Sequence, residues 1–209
     1  MSTIYNLIAG QSVERLAALS DGLFAIAMTL LVLDLRVPVS RGIHTELGLW
    51  VALVKLLPAF IPYFMSFVTL GIFWVGQQTQ LNRFARSDRN LTWIHLGFLL
   101  AVSLMPFSTA LLAEFITYRT ALVMYWLNVL LLGAVLFGSW RYALRAGLVK
   151  DDTTVDMRSA VERRIVIAQA LYALGALLCV VNTYWSIAFI VLVQLNYVLA
   201  PRIRLLYRL

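Results

Sequence analysis

An acidic residue inside an apolar stretch is the most unusual chemical feature of this sequence. Asp21 follows Ser20 early in a run of apolar residues, and Arg15 precedes them both. Ionisable side chains within membrane spans are rare, and each one suggests a functional site. The residues alone also allow a local explanation, in which Ser20 or Asp21 caps a helix that begins there by accepting hydrogen bonds from its free backbone N–H groups.

The sequence lacks the patterns that support catalysis or metal binding. Cys179 is the single cysteine, which excludes a disulfide framework and a cysteine-based metal site. His44 and His95 do not have a ligand spacing such as HExxH. Phosphate-binding loops, a paired-aspartate site and a GxSxG elbow are also missing. We therefore expect no enzymatic activity, no cofactor and no resident metal.

The composition indicates that these residues sit in a membrane protein. Of 209 residues, 62% are apolar and only 13% are charged, whereas soluble chains average about 45–50% and about 25%. Each membrane helix needs about 20 apolar residues, and six such stretches are present. We therefore predict one domain over residues 1–209, an all-α integral membrane bundle of six transmembrane helices without a cleaved signal peptide. The predicted spans cover approximately residues 16–35, 49–75, 91–113, 121–140, 165–181 and 185–200.

Prolines and polar segments add detail to this prediction. Pro58 and Pro62 should bend the second span and Pro106 the third, because each lacks a backbone donor. The three residues 182–184 predict a tight hairpin between the fifth and sixth spans. Residues 146–162 form the longest polar connection and are expected to be a solvated cytoplasmic loop.

The distribution of basic residues predicts that both termini are cytoplasmic. With that orientation, 13 of the 17 Lys and Arg residues fall on the inner side and four on the outer side. The net charge of +7 is therefore an orientation signal, and nucleic acid is not an expected partner. The four outer basic residues are Arg36, Arg41, Lys55 and Arg119.

One face of the first predicted helix is almost wholly apolar. At about 100° per residue, Leu30 lies roughly 40°, Leu33 about −20° and Thr29 about −60° from Ile26, whereas Asp21 points about 140° away. This helix could therefore present its apolar stripe and its polar motif to different environments. Periodicity does not choose between them, because a stripe facing lipid or a packed helix has the same pattern.

The first helix resembles that of the transmembrane protein 175 family of potassium channels. Arg15, Ser20 and Asp21, followed by Gly22, match its RxxxFSD signature, and the run AIAMTLLVL at 25–33 resembles the rest of the helix. The sequences Phe73-Trp74 and PFST at 106–109 also resemble sequences of that family. Two departures are Leu19, where the motif usually has phenylalanine, and Gln77-Gln78, where histidine is expected.

The resemblance implies a cation channel in which six-helix units assemble around a pore lined by the first helix. Bacterial members have a single unit, similar in length to this chain, and form tetramers. Ile26, Leu30 and Leu33 would then form the pore constriction, with Thr29 beside them. The resemblance also implies structural residues, namely the signature residues Arg15, Ser20, Asp21 and Gly22 with a supporting polar network that includes Trp74 and His95.

The expected function is a potassium channel that favours potassium over sodium. The sequence has no TVGYG filter, so the hypothesis is that apolar rings set a width and a dewetting barrier, both for selectivity and as a gate. Its expected partners are other copies of the chain in a homotetramer, membrane lipid and potassium ions, at the cell membrane (the inner membrane of a prokaryote). A proton-conducting channel and a secondary ion transporter remain alternatives. Asp34 near the outer end could attract cations or pair with Arg36 or Arg41.

Overall fold

The chain folds into seven α-helices over the residues that the structure describes, 12–40 and 42–199 of a computed structural model. Several residues that the sequence predictions use lie outside these ranges: Arg41, residue 200 at the end of the sixth predicted span, and the basic residues Arg202, Arg204 and Arg208. The helices are α1 (Val13–Leu30), α2 (Glu46–Leu81), α3 (Arg89–Ser103), α4 (Met105–Glu114), α5 (Arg119–Arg145), α6 (Val155–Leu177) and α7 (Thr183–Leu199). Short 3₁₀ segments, Leu31–Asp34 and Leu178–Val180, extend α1 and α6.

Within the described part of the chain, five helical segments are long and apolar enough to cross a membrane: Val13–Asp34, Glu46–Leu81, Arg89–Glu114, Arg119–Arg145 and Val155–Val180. α7 is also apolar but shorter, with 17 described residues. At 1.5 Å per residue it covers about 26 Å, close to the roughly 30 Å of a hydrocarbon core. The expectation of an all-helical membrane protein is confirmed, and α7 occupies the place of the sixth predicted span.

The interruption of the third predicted span at Pro106 is confirmed. α3 ends at Ser103 and α4 begins at Met105, with Pro106 in the first turn, where a missing N–H leaves no bond unmade. With its amide turned so that donors face acceptors, the buried Asn128 of α5 spans the interruption. Its Nδ2 donates to the Ala101 carbonyl at 3.0 Å, and its Oδ1 accepts from the Met105 N–H at 3.2 Å. These are the two backbone groups that a continuous helix would have joined.

The second span differs from its predicted bounds. α2 is 36 residues long, about 54 Å, and continues through both Pro58 and Pro62. It is therefore longer than the roughly 40–45 Å of a whole bilayer. None of the residues 46–61 is buried within the single chain, whereas Pro62, Met65 and Ser66 are. The first part of α2, residues 46–61, is thus an apolar surface that this chain alone does not cover.

The predicted solvated loop 146–162 is wrong in its second half. α6 begins at Val155, ten residues before the predicted span, with Thr154 as its cap accepting from the Met157 N–H at 3.3 Å. The first turns of α6 are polar and exposed, so the apolar pattern does not reveal them. The predicted hairpin is present, because α7 begins at Thr183 directly after Asn182.

Two loops pair at the end of the bundle where α1 begins. The Lys150 N–H donates to the Arg83 carbonyl and the Ala85 N–H to the Leu148 carbonyl, each at 2.8 Å. Phe84 stacks on the buried Trp140 beneath this pairing. Val13 and Ala17 of α1 pack against the same cluster. The start of α1 is thereby held by both loops.

The orientation inferred from charge can be tested by cysteine labelling in intact cells. Cys179 is buried and is first replaced by alanine, and a single cysteine is then introduced as Val39→Cys or Asp151→Cys, both at exposed positions. We expect a membrane-impermeant maleimide to label Val39→Cys directly and Asp151→Cys only after permeabilisation. The reverse pattern would place the termini outside.

Candidate functional site: the first helix and its anchor

The signature residues lie inside α1 and not at its start. α1 begins at Val13, and the Ser12 hydroxyl accepts a hydrogen bond from the Arg15 N–H at 3.2 Å as its cap. Ser20 and Asp21 are therefore two turns into the helix, where the backbone N–H groups are already paired. The local explanation, in which either residue caps the helix, is excluded.

Ser20 is the centre of a buried polar cluster that joins three helices. It is fully buried, and its hydroxyl lies 2.7 Å from the Leu16 carbonyl of its own helix. His95 of α3 places Nε2 at 2.6 Å from Ser20 Oγ, and Gln77 of α2 donates from Nε2 to the same oxygen at 2.9 Å. Gln77 Nε2 and His95 Nε2 are also 2.9 Å apart. We name Ser20, Gln77 and His95 the Ser20 cluster.

Asp21 provides a second attachment of α1 to α2. Its Oδ1 accepts hydrogen bonds from Trp74 Nε1 at 2.8 Å and from Gln78 Nε2 at 2.7 Å. Trp74 and Gln78 are four residues apart, and so lie one above the other on one face of α2. Both donors are neutral, so this carboxylate is held by hydrogen bonds without an ion pair.

The structure brings Ser20, Asp21, Trp74 and His95 together, but not Arg15. The Arg15 side chain is exposed and makes no hydrogen bond within the described part of the chain beyond the contact of its own N–H. Gly22 is also exposed, and a Cβ atom there would meet nothing within 4 Å. Neither residue contributes to the polar contacts that hold α1.

Gln77 and Gln78, in contrast, help to hold α1, although in the sequence they are departures from the family pattern. We name the residues that hold α1 the anchor: Ser20, Asp21, Trp74, Gln77, Gln78 and His95. The predicted second span ended at residue 75, which left both glutamines outside it. The available signal was the spacing of Trp74, Gln77 and Gln78, which puts three polar side chains on one side of a helix if α2 continues.

The apolar stripe of α1 faces away from the rest of the single chain. Ile26 is 58% exposed, Leu30 43% and Leu33 70%. Leu33 lies in the 3₁₀ segment, whose threefold repeat places it directly above Leu30. The buried residues of α1 form the opposite face and are Leu16, Ser20, Phe24 and Ala27.

Two polar groups flank the stripe. Thr29 is exposed, and its hydroxyl donates to the backbone carbonyls of Ile26 at 2.8 Å and Ala25 at 3.0 Å. The single hydroxyl proton is thereby directed at the helix, and the oxygen lone pairs remain for an external partner. Asp34 is exposed at the end of the 3₁₀ segment that extends α1 and forms no side-chain ion pair with Arg36, while Arg41 lies outside the described residues.

Comparison with known proteins places this arrangement among ion channels. The family model described as "Endosomal/lysosomal potassium channel TMEM175" matches residues 15–106. A potassium channel of Streptomyces collinus is 36% identical over 167 residues, covering 78% of this chain and 77% of that protein. A crystal structure of a lysosomal potassium-selective channel TMEM175 homolog from Chamaesiphon minutus matches with a TM-score of 0.78 and 27% identity, covering 90% of this chain and 97% of that one. The endosomal/lysosomal proton channel TMEM175 of Gallus gallus is 32% identical over 109 residues, which cover 50% of this chain and 22% of that protein.

The Ser20 cluster can be tested with a pair of matched substitutions. Ser20→Ala leaves buried donors without an acceptor, a cost of about 1–3 kcal/mol. We expect the melting temperature of the purified protein to fall by about 2–12 °C, at about 2–4 °C per kcal/mol for a chain of this size. Ser103→Ala is the control, because this exposed hydroxyl donates only to the carbonyl of Leu100 in its own helix. Equal effects of the two variants would contradict an anchoring role of Ser20.

Proposed function

The chain belongs to the TMEM175 family of ion channels, and from that premise we propose that it is a homotetrameric channel selective for potassium over sodium, with α1 lining the pore. The family is one of cation channels and not of enzymes, and the chain is a multi-pass protein of the cell membrane. The proposal that α1 lines the pore rests on one observation: α1 has an anchored face and an exposed apolar stripe.

The anchor supports pore lining because it fixes the rotation of α1. Ser20 and Asp21 are adjacent residues, and they point about 100° apart toward α3 and α2. Rotating α1 enough to bury Ile26 would break both attachments. Two neutral donors on Asp21 and the buried contacts of Ser20 therefore favour one orientation. In this proposal Ser20 and Asp21 are the structural residues of the signature, with Trp74 and His95 as their partners, whereas Arg15 and Gly22 make none of the polar contacts that hold α1.

The exposed stripe supports assembly into an oligomer. One helix cannot enclose a pore, so several copies must each contribute an α1. Four copies would place Ile26, Leu30 and Leu33 as successive rings along the axis. The first part of α2, residues 46–61, adds a further apolar surface that is open in the single chain.

Selectivity in this proposal arises from the width and dryness of the apolar rings. Ile and Leu side chains offer no ligands to replace the water around an ion. An ion that holds its water tightly is excluded more strongly, and sodium, being smaller, holds its water more tightly than potassium. The same rings close the pore to ions when they are narrow and dewetted, and a slight widening opens it.

Two polar groups complete the proposed path. The Thr29 lone pairs can contact a partly hydrated ion beside the rings, since its proton is directed at the backbone. Asp34 at the outer end would attract cations toward the mouth. Potassium is the permeant ion.

We expect Ile26→Asn to raise sodium permeability relative to potassium by roughly tenfold, equivalent to about 1.4 kcal/mol. An amide at the ring replaces part of the hydration shell and keeps the constriction wet. Reversal potentials of reconstituted protein between potassium and sodium solutions measure this ratio. Leu100→Asn is the control, because Leu100 is 64% exposed and lies about 140° around α3 from His95, the residue that contacts α1. Unchanged reversal potentials for Ile26→Asn would remove Ile26 from the ion path.

Proton conduction is the second candidate, because the Gallus gallus relative is named a proton channel. Liposomes that contain the protein, potassium and a pH-sensitive dye, diluted into sodium, distinguish the two functions. A potassium channel makes the interior negative, and the lumen then acidifies only after a protonophore is added. If valinomycin supplies the potassium path instead of the protein, acidification above the level of protein-free liposomes before the protonophore is added would assign proton conduction to this chain.

A further inference from the structure

A small cavity lined by both polar and apolar residues lies beside the Ser20 cluster, among α2, α3 and α5. Its polar lining residues are Gln77, Gln80, His95 and Ser139, which are all buried. The cavity has a volume of about 10 Å³. This is close to the smallest space that holds one water molecule, and such a water needs two to four polar partners.

Gln77, one of the lining residues, carries an unpaired oxygen. Its side chain is 2% exposed, and its Nε2 faces Ser20 Oγ and His95 Nε2 at 2.9 Å. The other end of the amide, Oε1, is buried and accepts no hydrogen bond from any described residue. A buried carbonyl oxygen without a donor is strongly disfavoured, and more so within a membrane.

From this geometry we propose that the cavity binds a single structural water molecule that donates a hydrogen bond to Gln77 Oε1. The second partner of the water is the Ser139 hydroxyl or the Gln80 amide. Gln80 Nε2 already donates to the Leu136 carbonyl at 3.2 Å, and its amide group retains a second hydrogen. The site therefore offers both an acceptor and donors to the water.

The bound water determines which way the Gln77 amide faces. With Oε1 paired to the water, the NH₂ group is directed at Ser20 and His95. The water also extends the Ser20 cluster from α2 and α3 to α5, which carries Ser139 and Leu136. The bound water belongs to the fold of the single chain and is independent of which ion the protein conducts.

A double-mutant cycle tests the proposal through the melting temperature of the full-length purified protein. Ser139→Thr adds a methyl group to the lining and displaces the water. Gln77→Met keeps a side chain of similar shape and removes the oxygen to which the water donates its hydrogen bond. We expect Ser139→Thr to lower the melting temperature by about 2–12 °C in the Gln77 background and to leave it unchanged or higher in the Gln77→Met background.

Gly138→Ala is the control for adding a methyl group to α5, because a Cβ atom there meets nothing within 4 Å. An equal effect of Ser139→Thr in both backgrounds would indicate a dry cavity and overturn the proposal. A density map of the wild-type protein near 2 Å resolution shows directly whether the cavity holds a water molecule. This measurement does not require any variant to fold. A peak within hydrogen-bond distance of Gln77 Oε1 supports the site, and its absence in a well-resolved cavity rejects it.

Discussion

The bilayer offers no hydrogen-bond partners, and this constraint determines how α1 is held. Ser20 and Asp21 must find partners on neighbouring helices, and they find them on α2 and α3. Because the two side chains point in different directions, the contacts fix both the rotation and the depth of α1. The proposed ion path depends on that fixed orientation of α1, since Ile26 lies less than two turns beyond Asp21.

The same constraint explains the other polar contacts of the bundle. Asn128 replaces the backbone bond that is missing where α3 and α4 separate. Deeper in the bundle, Thr69 Oγ1 lies 2.9 Å from the Tyr125 hydroxyl and accepts from Gln194 Nε2 at 2.6 Å. Apolar packing distinguishes poorly between one helix neighbour and another in lipid, because lipid tails are as apolar as leucine. Such polar pairs therefore select which helices pack together.

The sequence predicted the class of protein and much of the bundle, because those properties depend on local composition. Apolar content marked the helices, and Pro106 marked the interruption in the third span. Helix ends were less accurate where composition was polar. α6 begins within a charged segment at Val155, and α2 continues beyond residue 75 through polar glutamines. In both cases a cap or a tertiary partner, and not hydrophobicity, sustains the helix.

By itself the sequence determined that the chain is helical and membrane-embedded, and that α1 carries a polar motif on one side and an apolar stripe on another. It could not show which helices the motif contacts, because those partners are 53 to 75 residues away along the chain. The tertiary structure decided that Ser20 and Asp21 are anchors inside a helix and not its cap, that Gln77 and Gln78 belong to the anchor, and that Arg15 does not. Hydrogen bonds depend on atoms that meet in space, and only the packed bundle brings those atoms together.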